Sequence, residues 1–145
     1  MKFVVVWLLT LSSVVSAEDK HYGEVVVSEV TSIYDADTFR VNISDWPDII
    51  GKHMSVRVLG VDAPEIRGKC KEEKQAARLA KQFTVSALRG ASRIELRDIQ
   101  RGKYFRILAN VYIDGENLAQ ALIQARHGRP YKGGSRVGWC HKNTR

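Results

Sequence analysis

Residues 53–65 read HMSVRVLGVDAPE. Val56 and Val58 stand on either side of Arg57, the two-residue period of a strand with one buried face. Leu59-Gly60-Val61 ends that strand, and Asp62-Ala63-Pro64-Glu65 follows as a stiff corner. Pro64 fixes its own φ and holds Ala63 extended. The stretch predicts a strand over 53–61 that delivers two carboxylates at its end.

Upstream, Thr38–Ile43 alternates Phe39, Val41 and Ile43 with polar neighbours, and Tyr22–Tyr34 is rich in Val, Thr and Ile. These predict two further strands, the first of them long or bent. Asp45-Trp46-Pro47-Asp48 reads as a turn or loop. Downstream the period changes: Ala76, Leu79, Ala80, Phe83, Ala87 and Leu88 recur at three and four, an apolar helical stripe within 70–89. Glu72 and Glu73 suit its first turn and Gly90 its stop. Arg93–Ile99, with Ile94, Leu96 and Asp98 in alternation, and Tyr104–Ile113 read as strands, the latter closed by Asp114-Gly115. Asn117 and Gln120 form a capping pattern ahead of a short helix carrying Leu118, Ala119, Leu122 and Ile123, and Gly128–Tyr131 adds a last strand. Three strands, a helix, two strands and a helix give an α+β, mainly β, five-stranded OB-type barrel with two helices.

The N-terminus reads as an export leader. Met1-Lys2 is basic, Phe3–Leu11 is almost wholly apolar, and Val15-Ser16-Ala17 has the small-x-small pattern of a cleavage site. The apolar run is too short to span a bilayer. Residues 1–17 are expected to be a signal peptide and 18–145 one domain, released to the periplasm or the medium as a monomer without a membrane anchor. The domain carries 22 basic residues against 16 acidic ones, a net +6 that attracts polyanions. Cys70 and Cys140, the chain's two cysteines, predict one structural disulfide in an oxidising compartment.

Acidic residues are sparse, so their grouping is informative. Asp35 and Asp37 stand at the turn between the first two strands, and Asp62 and Glu65 follow the third. If the two turns lie side by side, carboxylates converge, and such a cluster repels itself unless a cation sits within it. Oxygen-only ligation suits calcium or magnesium rather than zinc. Asp35 reads as an ordinary turn residue, Asp37 and Asp62 as metal ligands. A lone arginine in an apolar alternation ordinarily faces solvent, but Arg57 and Arg106, between Phe105 and Ile107, form a pair. Arginine matches phosphate bidentately and keeps its charge.

Asp35-Ala36-Asp37-Thr38, Arg57 through Glu65, and Lys103-Tyr104-Phe105-Arg106, in that order and spacing, resemble the staphylococcal nuclease (thermonuclease) family. The likeness runs from about Tyr22 to Tyr131 and includes Asp114-Gly115 and Ala121-Leu122-Ile123. The resemblance implies an OB barrel that hydrolyses DNA and RNA with one calcium ion, leaving 3′-phosphate ends. It implies that Asp37, Asp62 and the carbonyl of Ala63 hold the ion. Glu65 is the implied base or water positioner, Arg57 and Arg106 the phosphate clamps, and Lys103, Tyr104 and Tyr131 the nucleotide contacts. Departures are Ala36 and Phe105 where the family has glycine, a short loop after Glu65, a reduced third helix, and the two cysteines. Ala36 is strained if its position needs a positive φ, and Phe105 is expected to narrow the groove. The disulfide is expected to fasten the shortened tail to the start of the first long helix. The competing reading is a non-catalytic OB-type module that binds nucleic acid by charge and stacking.

Overall fold

The computed structural model describes residues 20–140, so the leader read over 1–17 lies outside the described residues. In chain order the elements are β1 (Val25–Val26), β2 (Glu29–Asp35), β3 (Thr38–Asn42), α1 (Asp48–Gly51), β4 (Met54–Val58), β5 (Val61–Asp62), α2 (Lys71–Gly90), β6 (Ile94–Arg101), β7 (Arg106–Ile113), β8 (Glu116–Asn117), α3 (Leu118–Gln124) and β9 (Arg129–Pro130). The main sheet runs β1-β6-β7-β4-β3-β2, with β8 paired to β7. Only β4 and β7 run parallel within it.

All five expected strands are present, and the extra short ones arise largely where two of them break. The long first strand bends at Val27-Ser28. The Val27 N–H donates to the Ile94 carbonyl at one end of the sheet, and the Ser28 N–H to the Asn42 carbonyl at the other. One bend thus joins the two edges, which is how an OB-type sheet curls into a barrel and leaves little exposed edge. The expected third strand breaks at Gly60, whose φ of +83° favours glycine. Beyond the break, β5 pairs antiparallel with β9.

Two side-chain phases differ from expectation. In β6 the buried residues are Ile94, Leu96 and Ile99, not Asp98. Asp98 sits at φ +53° where the β6–β7 register shifts, a bulge that reverses the alternation and leaves its carboxylate accepting from Asn110 outside the barrel. In α2 the buried face runs through Glu73, Ala77, Ala80, Thr84 and Leu88, while Leu79 is exposed. The true face lies beside the stripe read from hydropathy because it includes two polar residues, Glu73 and Thr84, each with partners inside.

The barrel is filled by Phe39, Val41, Val56, Leu96, Val111 and Leu122, all with no exposed surface. α3 begins at Asn117, whose side chain accepts from the Gln120 N–H, the cap expected from the sequence. The short helix α1 falls where the expected loop ends. Among the described residues no helix follows α3, and none is long and apolar enough to cross a membrane. Instead the tail turns back, and Cys140 is bonded to Cys70 at the N-terminus of α2, with 5.9 Å between their Cα atoms. Closing this loop, whose ends are 70 residues apart in sequence, contributes at most about 4 kcal/mol in the chain-entropy account.

Candidate active site

The tight turn between β2 and β3 reaches the corner after β5 through two carboxylates. Asp37 Oδ2 accepts from the Ala63 N–H at 3.0 Å, and Asp35 Oδ1 accepts from the Ile66 N–H at 3.0 Å. Each satisfies a main-chain donor of the corner that would otherwise be orphaned. Thr84 of α2 fixes the turn from behind by donating to the Ala36 carbonyl at 2.7 Å. Ala36 is fully buried and is not among the residues with positive φ, so it carries none of the strain considered above. Gly68 closes the corner against Glu73, whose side chain would meet any Cβ there at 2.4 Å. Glu73 in turn accepts from the Lys69 and Glu65 N–H groups.

Arg57 lies on the outward face of β4, opposite Leu108 of the parallel strand β7, and Arg106 pairs with Ser55 on the same face. The two guanidiniums therefore leave neighbouring strands side by side. Arg57 Nη1 donates to Asp37 Oδ1 at 3.0 Å, and its Nη2 lies 3.5 Å from Asp62 Oδ1. Among the described residues Arg106 enters no ion pair, and its Nε is buried without a partner. Arg57, Glu65, Arg67, Arg106, Tyr131 and Arg136 line an open cleft of about 750 Å³. Asp37 and Asp62 are almost fully buried and do not line it; they meet it through Arg57, which contacts both.

The tail completes the arrangement. Arg136 Nε donates to Asp62 Oδ1 at 2.5 Å and its Nη1 to Glu65 Oε1 at 2.5 Å, while Trp139 Nε1 donates to Asp62 Oδ2 at 3.0 Å. Arg129 of β9 lies over the Trp139 ring at 3.5 Å and donates to the Gly138 carbonyl. Neither Arg136 nor Trp139 was expected from the sequence. The signal lay in the cysteines: a bond from Cys140 to Cys70 brings the residues just before Cys140 close to Glu65, five positions before Cys70.

The predicted residues fall into two groups. Arg57, Glu65, Arg106 and Tyr131 line the cleft, and Asp37, Asp62 and Ala63 join them through contacts with Arg57 and Arg136. Lys103 and Tyr104 do not line it: they sit in the β6–β7 turn, with Tyr104 94% exposed. Phe105 does not narrow the cleft. At φ +54° it turns to the far side of Arg106, into a second cavity of about 190 Å³ with Tyr22, Trp46 and Met54. Among the described residues, three metal-ligating side chains bring their ligand atoms within 4.8 Å of one another only at Cys70, Glu73 and Cys140, and the two cysteines are already bonded together. Asp37, Asp62 and Glu65 do not form such a group; Arg57 bridges Asp37 and Asp62, and Arg136 bridges Asp62 and Glu65.

Burial pushes both hairpin carboxyls up. For Asp35, desolvation outweighs the Ile66 hydrogen bond; for Asp37, it outweighs the attraction of Arg57 and the Ala63 hydrogen bond. Burial works against the charge of Arg136, but hydrogen bonds to Glu65 and Asp62 prevail and hold it above the ordinary guanidinium range. A carboxyl whose pKa is raised by folding binds its proton more tightly in the native state. Its ionised form then costs stability at neutral pH, and the cost vanishes below the unfolded value near 3.8. Asp35→Asn keeps the acceptor for Ile66 and removes the charge. It is expected to raise the thermal midpoint of the protein in chelator at pH 7, with the gain shrinking as pH falls towards 4. A gain of equal size at both pH values would place its origin elsewhere.

A model of the family described as staphylococcal nuclease homologue matches residues 55–133. The search of curated proteins gave no match.

Proposed function

The chain belongs to the staphylococcal nuclease homologue family, and from that premise we propose that it is an exported, monomeric, calcium-dependent nuclease that hydrolyses phosphodiester bonds of DNA and RNA with little sequence preference. The reading is carried by Arg57, Glu65 and Arg106 lining one open cleft in a basic protein, with Asp37 and Asp62 held against Arg57. Family membership speaks for nucleic acid as the substrate class, and the leader-like sequence of residues 1–17 for export.

The donor set fits a hard cation. Asp37, Asp62 and the Ala63 carbonyl offer oxygen alone, and the cluster already draws two guanidiniums to itself. When bound there, calcium would neutralise the scissile phosphate and polarise it. The chain's own residues do the rest. Arg57 and Arg106, fixed on adjacent strands, hold the phosphate oxygens and the charge that grows on them. Glu65, half exposed in the cleft wall, accepts the proton of the attacking water at its carboxylate. Tyr131, whose main-chain N–H is held by the Gly60 carbonyl, lines the substrate path.

The deciding experiment is cleavage of single-stranded DNA by the purified protein, with calcium or with excess chelator, across a range of salt. Cutting is expected only with calcium, and affinity is expected to fall steeply with salt because the contacts are to phosphate. Tight binding without cutting in any divalent metal would instead identify a nucleic-acid-binding module.

A further inference from the structure

The oxygens proposed to hold the metal already contact a cation that belongs to the chain. Arg136 meets Asp62 Oδ1 and Glu65 Oε1, and its Nη2 lies 3.5 Å from the Ala63 carbonyl oxygen. The other oxygen of Asp62 accepts from Trp139. One side chain thus spans a predicted metal carboxylate, the predicted main-chain ligand and the predicted base.

The segment that carries Arg136 is held on both sides of it. Upstream, the Tyr131 hydroxyl donates to the Gly134 carbonyl at 2.7 Å. Downstream, Arg129 stacks on Trp139 and donates to the Gly138 carbonyl, and Cys140 is bonded to Cys70. The guanidinium is therefore delivered by a tethered strap, so its contact with the carboxylates is intramolecular.

We propose that Arg136 is the resident counter-cation of the metal centre, that it and a divalent ion occupy the Asp62 and Ala63 oxygens alternately, and that it therefore sets the protein's affinity for the ion. The inference rests on the reading of those residues as the metal site. The Arg136 guanidinium fills the space in front of Asp62 Oδ1 and the Ala63 carbonyl that an ion on those oxygens would need, so Arg136 leaves as the ion enters. Until then it neutralises carboxylates that would otherwise repel one another. Its departure is linked to binding: if the strap is docked in about nine molecules of ten, the apparent Kd for the ion is about tenfold weaker than the intrinsic one.

Calcium binding is measured by isothermal titration calorimetry on the wild type, Asp62→Asn, Arg136→Met and the double variant Cys70→Ser/Cys140→Ser, with thermal melts to confirm folding. Arg136→Met is expected to tighten the apparent Kd about tenfold. The double variant is expected to move the same way by less, because the strap is loosened but its arginine stays. In the wild type, calcium is also expected to change tryptophan fluorescence, and Trp139→Phe to remove that change, since Trp139 shares Asp62 with Arg136. Should Arg136→Met fail to fold, Arg136→Gln, which also removes the charge, is measured in its place with the same expectation. Loss of binding in Asp62→Asn, with unchanged or weaker binding in Arg136→Met, would overturn the counter-cation role and leave the metal site standing. Absence of calcium binding in every protein would remove both.

Discussion

Glu65→Gln is expected to lower kcat on single-stranded DNA by about 10²- to 10⁴-fold, with KM changed little. The substitution keeps the size and shape of the side chain and removes only its ability to take a proton. Glu65 is suited to that test because its position does not depend on its own carboxylate. Its main-chain N–H is received by Glu73, and Pro64 stiffens the corner before it. Its side chain is 45% exposed, and its partner Arg136 retains Asp62 when Glu65 is neutralised. The thermal midpoint should therefore stay near that of the wild type. The measurement is a steady-state rate in saturating calcium, beside a melt. A folded variant with kcat within threefold of the wild type would mean that another group accepts the proton.

Arg57→Lys is expected to reduce kcat by about 10²- to 10³-fold, the loss of about 3–4 kcal/mol that follows removal of one donor to a growing oxyanion. Binding of nucleic acid should change far less, because lysine keeps the charge. The difference lies in geometry. Arg57, which lines the cleft, presents a fork whose Nη1 reaches Asp37 and whose Nη2 reaches towards Asp62. An ammonium carries three rotatable donors but not a planar fork, so it cannot reproduce the paired geometry. Affinity measured in chelator and rate measured in calcium separate the two effects. Equal losses in both would assign Arg57 a role in binding alone.

Arg57 also illustrates how much of the site was legible. Its alternation with Val56 and Val58 identified a strand and an outward side chain, and β4 has that pattern. Asp37, Asp62 and Glu65 were marked by their place at strand ends, where side chains of different strands meet. Asp35 read as an ordinary turn residue because nothing local shows that its carboxylate holds the Ile66 N–H, 31 positions away. Leu79 and Asp98 were misplaced for a related reason. Hydropathy marks which residues can be buried, but buried hydrogen bonds at Thr84 and Glu73 and a bulge at Asp98 decide which are.

Strand period, helix period, the capping residues of α3 and the pairing of the two cysteines follow from short-range stereochemistry and composition, and the sequence alone determined them. It determined the family for the same reason, since the carboxylate and arginine motifs stand in contiguous runs. Only the tertiary structure decided that one bend would join both edges of the sheet, that Phe105 would turn away from the cleft, and that Arg136 would lie on Asp62 and Glu65. Each of these depends on contacts between residues distant in the chain. Arg136 reaches Asp62 across 74 positions, and local pattern carries no information about which of many basic residues will make such a contact. That choice rests on the barrel bringing β5 against β9, and on one covalent bond holding the strap in place.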